Sequence, residues 1–211
     1  MVIHVVGDST ADTGSEPFFG WAGQLEQYLP DGFTVRNAAI SGRSSRSFIE
    51  EGRFDAVREA MRGNDVLLIQ FGHNDEKDDE RHTDPQTTFK QYLTRYIEAA
   101  RQANAVPILL TPVSRNHWLD DNTLMYTHGE YPRAVRDLAT EQNVALIDAK
   151  VITRKLIQSL GKDGSEELFV HTKSGEYDSL PDGWHDKTHF NLHGARTVAK
   201  LIADELPRIL E

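Results

Sequence analysis

Two short stretches near opposite ends of the chain carry the residue types that acyl transfer uses. Gly7-Asp8-Ser9-Thr10 offers a serine hydroxyl, and Asp186-Lys187-Thr188-His189 offers a carboxylate and an imidazole three residues apart. Between them lie Ser41-Gly42-Arg43-Ser44 and Gly72-His73-Asn74-Asp75. A free serine hydroxyl is a weak nucleophile and needs a base; an imidazole base needs a partner that orients it through its other ring nitrogen. Ser9, His189 and Asp186 are the right types for those three parts, and Asp186 can reach His189 across a turn. The tetrahedral oxyanion needs preorganised donors, each worth about 3 kcal/mol of transition-state stabilisation. The backbone N–H groups of Ser9 and Gly42 and the side-chain amide of Asn74 suit that role. Taken singly, each of these stretches is also an ordinary turn or cap. Together they supply every part of one reaction.

Residues so far apart in sequence need a fold that gathers them. Apolar runs recur at 2–6, 33–37, 65–71, 106–110 and 144–147, and helix-like stretches fill 20–29, 48–62, 85–103, 130–142, 149–160 and 193–210. In 85–103, Phe89, Leu93, Tyr96, Ile97 and Ala100 recur at three- and four-residue spacing behind Pro85. Alternating strands and helices predict an α/β fold: a doubly wound, flavodoxin-like, five-stranded parallel sheet with helices on both faces. No linker, repeat or low-complexity tract divides the chain, so one domain over residues 1–211 is expected. Open sheets of this kind bind ligands outside the carboxyl ends of their strands. Ser9, Gly42 and Asn74 follow the first, second and third expected strands. The stretch 183–188 reads as a loop turning into the last helix. Residues 73–84 are a charge run, and 114–130 form a long polar insertion rich in histidine and aromatic residues.

The formal charge of −10 argues against nucleic acid or an anionic membrane as partner, since both require a basic face. The absence of cysteine excludes disulfides, thiol catalysis and cysteine-based zinc sites. No run approaches the ~20 apolar residues of a membrane span, and no export signal precedes the first strand. A cytoplasmic protein is expected, or a secreted one whose signal has been removed. Nothing in the sequence fixes the oligomeric state. His185, His189 and His193, four apart, would line one face of a continuous helix as a metal site. Gly183, Asp186 and Thr188 interrupt such a helix, and no His-Glu-x-x-His pattern accompanies it. The expectation is therefore no metal and no cofactor.

The ordered set Gly7-Asp8-Ser9, Gly42, Gly72-His73-Asn74-Asp75 and Asp186-Lys187-Thr188-His189 resembles the SGNH (GDSL-type) hydrolase superfamily over residues 7–189. The surroundings SGRSSRSFIEEGRF, IQFGHND, TPVSR, GEYPRAV and DKTHFNLHGA resemble rhamnogalacturonan acetylesterases, which remove O-acetyl groups from galacturonate residues of branched pectin. The resemblance implies Ser9 as nucleophile, His189 as general base and then acid, and Asp186 as its orienter. It also implies an oxyanion hole of Ser9, Gly42 and Asn74, and an acetylated pectic oligo- or polysaccharide as substrate. Arg43 and Arg46 can meet galacturonate carboxylates through bidentate guanidinium contacts, or can pair with nearby acidic residues. Trp184 can offer a sugar an aromatic face, or simply fill space. Two other readings keep this sheet. One is an esterase or thioesterase for longer acyl chains, should Trp118, Leu119, Leu124, Met125 and Tyr126 fold into an apolar groove. The other is a sugar-binding module without catalysis.

Overall fold

In the computed structural model, which describes residues 1–210, the apolar runs become β1 (Val2–Gly7), β2 (Thr34–Asn37), β3 (Val66–Gln70), β4 (Val106–Leu110) and β5 (Ala145–Ile147). They form one parallel sheet in the order β2-β1-β3-β4-β5, the flavodoxin-like order. β1 and β3 are covered on both faces, so they read as continuous aliphatic runs instead of alternating ones. His4 interrupts β1, yet it is buried, and its Nε2 lies 3.2 Å from Asp65 Oδ2 at the entry to β3.

Helices cover both faces of the sheet. On one face α1 (Ser45–Glu50), α2 (Arg53–Ala60), α3 (Lys90–Gln102) and α4 (Tyr131–Gln142) enclose a core with Leu67, Ile69 and Leu109 at its centre. On the other, α5 (Ala149–Ser165) and α6 (Leu192–Ala203) pack with Trp21 and Leu25 over Ile3, Val5, Leu68 and Ile108. The short α7 (Pro207–Leu210) closes the described chain. α3 shows why these segments are helical: Leu93, Tyr96, Ile97 and Ala100 make one buried stripe. Each large side chain in such a stripe contributes about 1.5–3 kcal/mol by leaving water. Among the described residues no helix is long and apolar enough to cross a membrane.

Several expected elements change at their ends. The helix expected over 20–29 is a pair of 3₁₀ turns, Ala22–Gln24 and Glu26–Tyr28. There Gly23 packs so closely on the Thr13 backbone that a Cβ would lie 2.7 Å from Thr13 Cα. The expected helix 48–62 begins earlier and breaks. A reciprocal cap between Ser44 and Ser47 starts it, and Gly52 at φ +72° divides α1 from α2. The helix expected over 85–103 opens as a π-helical turn, Pro85–Phe89, before α3 begins. The stretch 193–210 divides into α6 and α7 ahead of Pro207. The stretch 183–188, expected as a loop entering a helix, belongs instead to a strand. β6 (Phe169–Thr172) and β7 (Trp184–Phe190) form an antiparallel ribbon apart from the main sheet. Backbone pairing of Phe19 with Phe190 and the Asn116 N–H bond to Lys187 O (2.7 Å) hold this ribbon against the carboxyl end of the sheet.

Gly194, at the start of α6, is pressed against the turn preceding β6, and an added Cβ would overlap the Leu168 carbonyl oxygen. Gly194→Ala is expected to cost about 2–3 kcal/mol as overpacking forces α6 outward. Urea denaturation measures this, and an unchanged midpoint would refute the close packing.

Candidate active site

β1 ends at Gly7 because the chain there has no room for a side chain: a Cβ would lie 2.8 Å from Gln70 O. The following turn is locked by polar contacts. Asp8 Oδ1 accepts from Thr10 N (3.0 Å) and Thr10 Oγ1 (2.8 Å). Gln70, the last residue of β3, donates through Nε2 to Thr10 Oγ1 at 2.7 Å and accepts from Trp21 Nε1 at 2.8 Å. Asp8 is fully buried, and burial pushes its carboxyl up to about 6. Ser9 thus sits between two immobilised neighbours.

Ser9 Oγ lies 2.9 Å from His189 Nε2, and His189 Nδ1 lies 2.8 Å from Asp186 Oδ2. Asp186 also accepts from Thr188 N (2.6 Å), His189 N (2.8 Å) and Trp184 Nε1 (3.0 Å). Burial opposes charge on Asp186, but the hydrogen bonds from His189 and Trp184 outweigh it and hold the carboxyl well below its usual range. An ionised Asp186 accepts from Nδ1–H, which leaves Nε2 as the lone-pair nitrogen facing the Ser9 hydroxyl. Phe18 packs edge-on against the imidazole with ring centroids 5.8 Å apart.

Ser9 and His189 form a wall shared by two cavities. One, of about 280 Å³, is lined by His73, Asn74, Lys77, Arg115 and His117. The other, of about 370 Å³, includes Phe18, Phe19 and Ser41. Asn74 Nδ2 donates one hydrogen to Arg43 O (3.0 Å), which leaves its second free, while its Oδ1 accepts from Arg81 Nη1 at 3.3 Å. Gly42 takes φ +79°. Among the described residues, the backbone N–H groups of Ser9 and Gly42 have no intramolecular acceptor.

The other expected substrate contacts lie elsewhere. Arg43 Nε binds Glu51 (3.0 Å) and Arg46 Nε binds Glu50 (2.9 Å), and neither arginine lines a cavity at Ser9. Trp184 is half exposed, with its indole N–H committed to Asp186. The apolar residues of 114–130 do not reach these cavities either: Leu124 is in the core, while Leu119, Met125 and Tyr126 face solvent. The histidine trio is also dispersed. Both ring nitrogens of His189 are engaged, and His185 faces Glu166.

Sequence reasoning missed the buried polar line behind the first cavity. Lys150 Nζ, fully buried, lies 2.8 Å from Thr127 Oγ1 and 2.9 Å from His128 Nδ1; His128 Nε2 lies 3.0 Å from His73 Nδ1. With Lys150 protonated, its ammonium can only donate, so His128 Nδ1 accepts and its Nε2–H donates to His73. His73 therefore carries its own proton on Nε2, a buried atom with no intramolecular partner. Burial, with neighbouring positive charge, keeps both imidazoles well below the ordinary histidine range and hence neutral. A lysine inside an amphipathic helix pattern reads as a surface residue, so no sequence signal marked Lys150.

The GDSL-like Lipase/Acylhydrolase family matches residues 5–197 of this chain. Rhamnogalacturonan acetylesterase RhgT of Bacillus subtilis is 40% identical over 210 residues, 98% of this chain and 90% of that protein. The probable rhamnogalacturonan acetylesterase YesY of the same organism is 38% identical over 205 residues, covering 95% of this chain and 90% of YesY. The crystal structure of B. subtilis YxiM superposes with a TM-score of 0.83 at 27% identity, over 98% of this chain and 56% of that one.

Lys150 offers a test of the buried line that needs no substrate. Burial, with Arg115 and Arg154 nearby, brings its ammonium down to about 7, against an ordinary 10.5. Between those values the unfolded chain binds more protons, so this residue makes stability rise with pH from 7 towards 10. Urea midpoints should show that rise, and Lys150→Met should flatten it. An identical slope in the variant would contradict the lowering of Lys150 by burial.

Proposed function

The chain belongs to the GDSL-like lipase/acylhydrolase (SGNH) family, and from that premise we propose that it is a serine carbohydrate esterase. In this reading it removes O-acetyl groups from pectic rhamnogalacturonan, as polymer or oligosaccharide. The observation that carries the reading is the continuous line Asp186–His189–Ser9, opening on a cavity that holds cationic side chains. The names of RhgT and YesY, related over nearly the whole chain, support the substrate class.

Ser9 Oγ attacks the acetyl carbonyl carbon as its proton passes to His189 Nε2, and Asp186 holds the resulting imidazolium through Nδ1–H. The oxyanion accepts from the free N–H groups of Ser9 and Gly42 and from the second hydrogen of Asn74 Nδ2. The bond to the sugar oxygen breaks, and that oxygen takes the proton from His189. Water then attacks the acetyl-serine, giving its proton to the same nitrogen; acetate leaves and Ser9 recovers its hydrogen. The Phe18–Phe19 side of the wall suits an acetyl methyl group. The Lys77–Arg115 side suits an anionic sugar within a chain whose net charge is −10. Lys77 is the better carboxylate partner, because Arg115 is already bound to Glu76 at 2.6 Å while Lys77 has no ion pair among the described residues. In this reading Arg43 and Arg46 are not substrate contacts, and Trp184 remains available as an exposed ring beside the site.

Acetate release from acetylated rhamnogalacturonan oligosaccharides, run beside p-nitrophenyl acetate and a long-chain p-nitrophenyl ester, is the direct test. Release from the sugar, falling at least about 10³-fold in Ser9→Ala with an unchanged circular-dichroism spectrum, is the expected result. Cleavage confined to the long-chain ester would overturn the substrate. Lys77→Ala should raise KM for the uronate-bearing substrate about fivefold, as befits one partly screened contact, and leave p-nitrophenyl acetate untouched. Equal effects on both esters would remove Lys77 from carboxylate recognition.

A further inference from the structure

Away from the Ser9 cavities, the β6–β7 ribbon gathers a second set of side chains. The two strands pair so that His171 stands directly opposite His185, and their rings approach to 4.0 Å between centroids. Glu166, in the 3₁₀ turn Glu166–Leu168 ahead of β6, brings Oε1 to 3.4 Å from His185 Nε2. One ligating atom from each of the three falls within 4.8 Å of the others. Among the described residues no other such group of three histidine, cysteine or acidic side chains occurs.

An independent feature marks the same place. Both ring nitrogens of His171 are shielded from solvent and have no hydrogen-bond partner. An unmet buried polar group costs about 1–3 kcal/mol, and a bound cation would satisfy one of these nitrogens. We propose that Glu166, His171 and His185 form a binding site for a divalent transition metal of the zinc class.

Two imidazoles and one carboxylate suit borderline cations, whereas calcium and magnesium require mostly oxygen donors. Zinc–ligand bonds near 2.1 Å put tetrahedral donors about 3.4 Å apart. Glu166 Oε1 and His185 Nε2 already stand at that spacing; the His171 donor, within 4.8 Å of both, is reached by rotation of the exposed His185 and Glu166 side chains. Three protein ligands leave a fourth position to solvent. The ligands come from a turn and two strands, which is why no sequence spacing announced them. The site shares only His185 with the four-residue histidine series, and it departs from the expectation of no metal. Because His185 adjoins Asp186, an occupied site staples the strand bearing Asp186 and His189 to the turn in front of β6. The inference does not depend on the esterase reading.

The test is calorimetric titration of the untagged, chelator-stripped full chain with zinc chloride at neutral pH, beside His185→Gln and Glu166→Gln. Both substitutions fall on exposed side chains, and thermal unfolding without zinc checks that each variant folds as the parent does. Saturable binding of one zinc per chain is expected, weakened at least about tenfold in His185→Gln, with zinc raising the melting temperature of the parent more than that of either variant. Magnesium should not displace the bound zinc. An absence of saturable binding at millimolar zinc, or equal binding by parent and both variants, overturns the site.

Discussion

The parallel pairing of β1 with β3, which sets Gly7 opposite Gln70, is the contact on which the Ser9 side of the site rests. Main-chain pairing ends there, but its alignment continues through side chains. Gln70 reaches past the last rung to Thr10 and Trp21, and Thr10 reaches Asp8. Gln70 uses both ends of its amide and Thr10 both its N–H and its hydroxyl, while Asp8 Oδ2 is left without a partner. Had Gly7 carried a side chain, β1 could not approach Gln70 this closely, and Ser9 would leave the sheet at another angle. The serine's position is thus a property of strand packing before it is a property of its own turn.

The opposing half is built differently. Asp186 and His189 belong to a two-stranded ribbon outside the main sheet, and Asp186 gathers two backbone and two side-chain donors. Those donors keep a partly buried carboxylate ionised and fix the ring that faces Ser9. One half therefore relies on a covered sheet and a neutral amide ladder, the other on a charge held by convergent N–H groups. They meet at a single side-chain hydrogen bond, flanked by the Phe19–Phe190 bridge. Around that meeting point the local charge runs against the molecule's overall balance, with Lys77 and Arg115 in the wall of a strongly acidic protein.

The main sheet was legible because its strands are covered on both faces, and full burial leaves an unmistakable aliphatic run in β1 and β3. The ribbon was not. β7 reads Trp-His-Asp-Lys-Thr-His-Phe, and only Asp186 and Phe190 in it are buried, so no apolar period distinguishes it from a loop. Helix ends were misjudged where glycine conformation or close packing decided them, at Gly52 and Gly23. For the site, residue type and local spacing carried the information for Ser9, Asp186 and His189, since Asp186 acts on a residue three positions away. They carried none for the cations. Arg43 and Arg46 lie closer in sequence to Gly42, yet Glu51 and Glu50 occupy them, while Lys77 stands inside the charge run 73–84, where no spacing distinguishes it from its neighbours. Which charge is engaged and which is free depends on partners that only the folded chain brings near.

The bond between Ser9 and His189 spans 180 positions of sequence. On a ribosome, Ser9 emerges with β1, whereas the ribbon that bears His189 is made after all five strands of the main sheet. Until that ribbon docks, the Ser9 hydroxyl has no imidazole beside it. A chain that stops short of the ribbon holds all five sheet strands but lacks the imidazole that faces Ser9. The order of synthesis thereby delays the pairing: the hydroxyl and the imidazole meet only after the whole main sheet and the ribbon behind it have been made.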